Sequence, residues 1–374
     1  MKIALLSGAY KNAGDFLIVK RSKELLTKVY PESIITEYER RKDLTPVLDE
    51  INQSDVLVLA GGPGYQTNIY PTSIPLIEDL DKIKTKIFVL GMGWKGRDTS
   101  NRTVYNYKFT DATSRLLKKI ENDGFPLGCR DWYSVRALKN NGFKNAKMTG
   151  CPAWYNLEFV NTSEVARAPL KEIKKIVVSD PADMKNLDLA IHLVRYLKRK
   201  FPQSEIKFVF HRGVEQDLNT PSKLANNSNS LKKEVENMGI ECMNIAYGSE
   251  GFNLYNDCDL HIGFRVHAHI YNLSCRNLSI LIEEDGRGAG VNEALGLQSI
   301  TAYSDMKCDL GNKYISKLSN KVLSSRNSYL ENNVDDYIQQ LCDSDYLQIT
   351  NAFLLMQQYY KHMIEHLKLI NNKR

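Results

Sequence analysis

Residues 260–273 read LHIGFRVHAHIYNL. An apolar run from Leu260 to Phe264 stops at Arg265-Val266-His267, and apolar residues at helical spacing follow. A strand that feeds a helix through a short turn is the repeating unit of parallel sheets. A cation and an imidazole two residues apart at such a turn suit an acidic small molecule. The arginine can grip a carboxylate or phosphate through two parallel hydrogen bonds. The histidine can donate to an anion or move a proton near neutral pH.

The same unit recurs along the chain. The spacing predicts strands at Lys2–Ser7, Ser33–Tyr38, Val56–Ala60, Lys86–Leu90, Pro126–Cys129 and Ala146–Thr149, with helices near 15–29, 45–53, 74–83, 111–122 and 132–141. The rhythm lapses over the polar stretch Asn161–Lys175, which reads as a linker. It resumes with strands at Ile176–Val178, Lys207–Phe210, Ile240–Asn244, Leu260–Phe264, Ser279–Glu283 and Ser299–Tyr303. Apolar strands separated by helices indicate an α/β protein whose parallel sheets are covered on both faces. In the helix after the linker, Leu187, Ala190, Ile191, Val194 and Leu197 share one face, and its basic end, Arg195–Lys200, reads as a solvated helix terminus.

The expected organisation is a doubly wound domain over residues 1–160, a second over 170–312 and a helical segment over 313–374. Within the last, Leu347–Ile370 is an amphipathic helix packing on the core. Two such domains leave a cleft at the carboxyl ends of their strands, where ligands bind in sheets of this kind.

Composition bounds the function. A chain of 374 residues with 43% hydrophobic and 25% charged content has the make-up of a soluble globular protein. The net charge of +6 suits anionic small molecules and is too dilute to argue for nucleic acid. The 7 cysteines are scattered without metal-ligand spacing, which reads as reduced thiols in the cytoplasm and no metal. MKIALLSGAY at the start reads as a first strand, and no run reaches the roughly 18 apolar residues of a membrane span. Membrane contact is expected to be peripheral at most, at the inner face of the plasma membrane.

Several segments could carry chemistry. After the first strand comes Asn12-Ala13-Gly14-Asp15, where Gly14 permits close backbone approach to a ligand and Asp15 reads as a helix N-cap. Gly61-Gly62 and Gly91–Gly96 follow the third and fourth strands. The long stretch Trp94–Thr110, with Lys95, Arg97 and Tyr105, combines aromatic and basic residues that suit a sugar. Arg130-Asp131 ends a strand, with Asp131 as the next cap. Cys151 reads as a structural thiol, and His269 as a packed helix histidine. Glu283-Glu284 and Asp285-Gly286-Arg287-Gly288-Ala289-Gly290 follow the penultimate strand of the second half.

Together these segments resemble the polysaccharide pyruvyl transferase family. The matching motifs are Asn12-Ala13-Gly14-Asp15, Gly61-Gly62, Arg130-Asp131 with Ser134 and Leu138 through Gly142, Gly150-Cys151-Pro152, Arg265-Val266-His267 and Leu295-Gly296-Leu297. The resemblance implies two Rossmann-like domains facing a cleft, a GT-B-like fold. It implies transfer of the pyruvyl group of phosphoenolpyruvate onto two hydroxyls of a sugar as a cyclic ketal. The acceptor would belong to a cell-surface polysaccharide or its lipid-linked precursor. By motif position it implies that Arg265 and His267 contact phosphoenolpyruvate, that His267 acts in catalysis, and that Arg130 is a second anion contact. No metal or redox cofactor is implied. An imidazole with a pKa near 6.5 beside arginines suits delivery of a proton and stabilisation of charge.

The glycine-rich run Asp285–Gly290 departs from the family pattern. It reads as a cradle for a phosphate or nucleotide, and Glu283 and Glu284 could hold ribose hydroxyls. A GT-B glycosyltransferase with a nucleotide-sugar donor is therefore the alternative, and a non-enzymatic glycan-binding protein is a third reading. The first half is the expected acceptor side, with Asn12, Gly14, Asp15, Gly61, Gly62, Trp94, Lys95, Arg97 and Tyr105. The second half is the expected donor side, with Arg265, His267, Asp285, Gly286, Arg287 and Gly288.

Overall fold

Runs of apolar, mainly branched residues set the two sheets. In the computed structural model, which describes residues 1–96, 101–164, 172–302 and 329–371, the first half carries β1 (Lys2–Ser7), β2 (Ile34–Glu39), β3 (Val56–Ala60) and β4 (Ile87–Leu90), in the order β2-β1-β3-β4. All neighbours are parallel. A second parallel pair, β5 (Leu127–Cys129) and β6 (Ala146–Met148), joins the edge at Met92, whose N–H donates to Gly128 O and whose carbonyl accepts from Arg130 N. The helices are α1 (Ala13–Val29), α2 (Leu48–Asn52), α3 (Asn101–Tyr105), α4 (Asp111–Asn122) and α5 (Trp132–Asn140). Side chains of β1, β3 and β4 are almost wholly buried, as a sheet covered on both faces requires.

The second half has six parallel strands: β7 (Lys175–Ser179), β8 (Glu205–Phe210), β9 (Glu241–Asn244), β10 (Leu260–Gly263), β11 (Leu278–Glu283) and β12 (Ile300–Thr301). Their spatial order is β9-β8-β7-β10-β11-β12, the doubly wound 3-2-1-4-5-6 arrangement. The helices are α6 (Leu187–Lys200), α7 (Ser222–Glu236), α8 (Val266–Ser274) and α9 (Gly286–Leu295), followed by α10 (Leu330–Asp343) and α11 (Leu347–Lys368). In this order the winding reverses between β7 and β10, so the turns after these two strands flank a ready-made crevice. Arg265 ends one of those turns. Asp180 begins the other.

Three expectations change. The helix expected near 74–83 is absent; that stretch holds only a single 3-10 turn, Leu80–Lys82. Pro71 and Pro75 remove backbone donors there, and Leu76 sits at a left-handed φ of 51°. Lys175, expected in the linker, opens β7. On α6, Leu189 and Leu193, rather than Leu187 and Ile191, complete the buried stripe with Ala190, Val194 and Leu197. Tyr303, the 165–171 part of the expected linker and residues 313–328 of the expected helical segment lie outside the described residues.

α11 fastens the two sheets together. Its Phe353, Met356, Met363 and Leu367 are buried. His366 Nε2 is 2.9 Å from the carbonyl of Val89 in β4, and its ring lies 4.3 Å from that of Phe88. Tyr359 OH bonds to Ala294 O of α9, and the Arg276 guanidinium rests 4.8 Å above Phe353. Burying one such aromatic side chain stabilises by about 2–3 kcal/mol. The basic end of α6 is engaged as well: Arg199 pairs with Glu331 at 2.7 Å, and Lys200 with Asp335, both on α10.

Candidate anion-binding cleft between the two sheets

Four helices begin where the two sheets face each other. α1 and α5 start in the first half, α8 and α9 in the second, and each follows a strand of its sheet. Helix N-termini point unpaired N–H groups and the positive end of the helix dipole at whatever lies between them. The contacts among these ends are close. A side chain on Gly14 would place its Cβ 2.6 Å from Cγ of His267, so the start of α1 lies directly on the His267 ring. The N–H of Ala13 donates to the carbonyl of His211, which follows β8. Gly290 of α9 abuts the Asp131 carboxylate, and Gly286 abuts the Trp94 ring.

Arg265 caps α8 and is buried. Its Nε and Nη2 grip Asp180 at 2.7 and 2.5 Å. The two-pronged grip expected for a ligand is therefore made to a protein carboxylate, and only the Nη1 edge is left for an anion. Behind the pair, His211 Nδ1 lies 3.1 Å from Asp180 Oδ1, and its Nε2 lies 3.0 Å from Tyr255 OH. Burial pushes Asp180 up, but Arg265 and His211 outweigh it and hold the carboxyl at about 2. Burial lowers the pKa of His211, which keeps its imidazole neutral at pH 7. Asp180 therefore fixes the height and orientation of Arg265.

His267 departs from the expected value near 6.5. Burial, followed by the positive field of Arg130 and Arg287, pulls it down to about 3, so the imidazole is neutral at pH 7 in the empty cleft. Its Nε2 is buried without a hydrogen-bond partner, and so is Nη2 of Arg130. Arg130 is 1% exposed and lies against the Gly93 backbone; its Nε donates to Asp131 at 3.1 Å. Asp131 caps α5 as expected, accepting from Ser134 N and Oγ at 2.7 Å each. Buried donors with no acceptor are costly, and an anion between these two groups would satisfy both.

The remaining expected residues divide. Asp15 is not the N-cap of α1. The helix begins at Ala13 with Asn12 in that position, which leaves Asp15 on the third helical residue, accepting from Asn12 Nδ2 at 3.3 Å. Burial raises its pKa, opposed by Arg40, Asn12, Arg212 and Arg287, so the carboxylate belongs to the cleft. Gly61 and Gly62 adopt the left-handed φ values of 36° and 71° that the turn after β3 requires. Trp94 is 1% exposed, in contact with Tyr107 and Tyr133, and cannot stack on a sugar. Lys95 is exposed, Tyr105 is 70% exposed on α3, and Arg97 lies outside the described residues.

The cradle expected at Asp285–Gly290 is a helix start. Asp285 caps α9 through Arg287 N at 2.9 Å, and Gly288 packs on Leu281 and Glu283. The glycines serve close packing of α9, and Arg287 is what this turn contributes to the field on His267 and Asp15. Glu283 binds Asn292 and Ser299. Glu284 accepts from Ala182 N, Asp183 N and Asn186 Nδ2, so neither glutamate is available for a ribose. Cys151 is buried and its thiol is pushed up to about 11, which suits a structural role. His269 Nδ1 sits 2.7 Å from Ser279 Oγ, inside the fold.

Asp180, His211, Arg212 and Arg40 escaped the sequence reading. His211-Arg212-Gly213 does follow a predicted strand and could have been found by that position. Arg40 lies in the charged run EYERRKD, which reads as a solvated turn.

Two parallel doubly wound sheets meeting across a basic cleft form the GT-B fold of transferases. The S. aureus MnaA–UDP co-structure has this fold at 10% identity, with a TM-score of 0.53 over 100% of this chain and 97% of that one. So does an E. coli trehalose-6-phosphate structure bound with UDP-2-fluoro glucose, at 10% identity and a TM-score of 0.50, over 100% and 99%. No curated protein sequence matches. The chain belongs to the polysaccharide pyruvyl transferase family, whose model matches residues 12–274 and thus spans every cleft residue named above except Glu284, Asp285 and Arg287 with its helix. It is a transferase with an α/β, GT-B-type fold.

Proposed function

We propose that the cleft binds phosphoenolpyruvate among Arg130, Arg265, His267 and Arg287 and transfers its pyruvyl group to two hydroxyls of a surface-glycan sugar. The observation that carries this is the pair of orphaned buried donors, Arg130 Nη2 and His267 Nε2, set among helix N-termini. A small, densely charged anion fits that arrangement better than a nucleotide does, because Glu283 and Glu284 are already satisfied and the Asp285–Gly290 turn is packed.

The reaction needs a proton on the methylene carbon and an acceptor oxygen on the central carbon. The C–O bond to phosphate then breaks, and the second hydroxyl closes the ketal while its proton leaves with the phosphate. Neutral His267 cannot supply the first proton in the empty cleft. The ligand's negative charge offsets Arg130 and Arg287, which raises the imidazole pKa and lets His267 arrive protonated with its substrate. Asp15, with a raised pKa at the start of α1, is placed on the acceptor side to take the proton of the attacking hydroxyl. The acceptor is a saccharide of a cell-surface polysaccharide or of its lipid-linked precursor, and the chemistry calls for no metal or redox cofactor. Among the described residues no helix is long and apolar enough to cross a membrane, which is compatible with work at the cytoplasmic face.

His267→Ala should lower kcat at least about a hundredfold with an unchanged melting temperature, the scale of a lost general acid. Retained turnover in a folded variant would remove His267 from the mechanism.

A further inference from the structure

A second group of cations lies on the other side of Asp15 from His267's partners. The charges acting most strongly on His267 include Arg130, Arg287 and Arg265; those on Asp15 are Arg40, Arg212 and Arg287. Arg40 follows β2, its N–H donating to Ser7 O. Its guanidinium lies over the turns after β1 and β3. A Cβ on Gly8 would come within 2.5 Å of Arg40 Nη2, and one on Gly62 within 3.4 Å of Nη1. Glycines at both turns leave a slot in which the guanidinium is held half-buried, and no carboxylate pairs with it at ion-pair distance among the described residues.

Arg212 faces the same carboxylate from the second half. Its Nε is buried with no hydrogen-bond partner. The loop that carries it is latched to the first half by Lys11, a buried cation bound to Glu215 O at 3.3 Å, to Asp217 and to Thr220 Oγ1. Arg212 is therefore fixed in place, with Arg265 on one side and Arg41 on the other acting as like charges. Guanidinium groups that repel one another and lack carboxylate partners are stabilised when an anion enters between them.

We propose that Arg40 and Arg212 form a second anion subsite, which takes the phosphate or diphosphate ester through which the acceptor sugar is carried. The idea rests on the transferase reading above and extends it: the enzyme recognises its acceptor by the carrier phosphate as well as by the sugar. Asp15 lies between the two anion sites, where a sugar hydroxyl joined to the carrier would meet the donor's central carbon.

Calorimetric titration of the intact protein with inorganic pyrophosphate, in the presence of saturating phosphoenolpyruvate, tests this. The wild type should bind both at once. Arg40→Gln and Arg212→Gln should each weaken pyrophosphate about tenfold or more, the loss of one charge-assisted contact, and leave phosphoenolpyruvate within about threefold. Gly8→Ala should reproduce the Arg40 effect without removing a charge, which guards against a variant that merely misfolds. UDP and geranyl diphosphate separate the carriers: tighter binding of one than of pyrophosphate identifies a nucleotide or a lipid diphosphate. Exclusion of pyrophosphate by phosphoenolpyruvate, or unchanged pyrophosphate affinity in all three variants, overturns the subsite and leaves pyruvyl transfer standing. Arg40- and Arg212-dependent pyrophosphate binding by a protein that does not bind phosphoenolpyruvate upholds the subsite and sinks the donor reading.

Discussion

At the residue scale, the cleft depends on single atoms that have no room to move. Gly14 shows this most directly. Alanine is the better helix former by about 1 kcal/mol, so on propensity alone Gly14→Ala should help α1. In place, its Cβ would fall 2.6 Å from His267 Cγ and 2.8 Å from its Cβ, and the imidazole must swing away. The variant is expected to keep its fold with a melting temperature within a few degrees, and to lose turnover by about a hundredfold, as misplaced catalytic groups do. Full activity would mean that the α1–His267 contact has no functional weight. Sequence foretold a close backbone approach at Gly14 but not its target, because the contact joins residues 14 and 267, and no local pattern records so distant a pairing. The same reason hid the Asp180 partner of Arg265: one aspartate after a strand looks like any cap.

At the element scale, regular units were legible and junctions were not. Strands β1, β3, β7 and β11 stand out as short apolar runs, and helices α4 and α5 as spaced ones, because burial on two faces or one stripe imposes a periodicity. The 74–83 stretch deceived because its apolar residues fit a helical spacing, while Pro71 and Pro75 forbid the hydrogen bonds. The glycines of α9 deceived in the other direction, because close packing and phosphate cradling both demand small residues. α11 carries an element-scale test in His366, which is 2% exposed. Burial lowers its pKa from 6.5 to about 4, against the hydrogen bond to Val89 and with a contribution from Lys147. The unfolded chain then takes up a proton that the folded one refuses, so this stability is complete above pH 6.5 and falls as pH drops toward 4. Between pH 7.5 and 5 the loss from this group is about 2 kcal/mol, at 1.36 kcal/mol per unit. His366→Phe should melt lower than wild type at pH 7.5, having lost a hydrogen bond worth about 1 kcal/mol, yet should lose less stability on acidification. Parallel pH profiles for the two proteins would contradict that account of how α11 is fastened.

At the scale of the whole molecule, two sheets wound in different orders bring their strand ends to one place. The reversal between β7 and β10 sets Asp180 beside Arg265, and the turns after β1, β2 and β5 supply Asp15, Arg40 and Arg130 from the other side. α11 and the Lys11 latch hold the halves at that spacing. The alternation of strands and helices made the two sheets legible. It could not say which turns would face each other, and for that reason the anion site was legible in one motif and incomplete elsewhere. The central claim is that this cleft is built for phosphoenolpyruvate. Calorimetric titration of phosphoenolpyruvate into the wild type and into Arg130→Gln measures it most directly. The account predicts saturable binding at or below millimolar concentration, weakened about tenfold or more when Arg130 can no longer offer its orphaned Nη2 as a cation. No binding at millimolar concentration, or equal binding by both proteins, would contradict it.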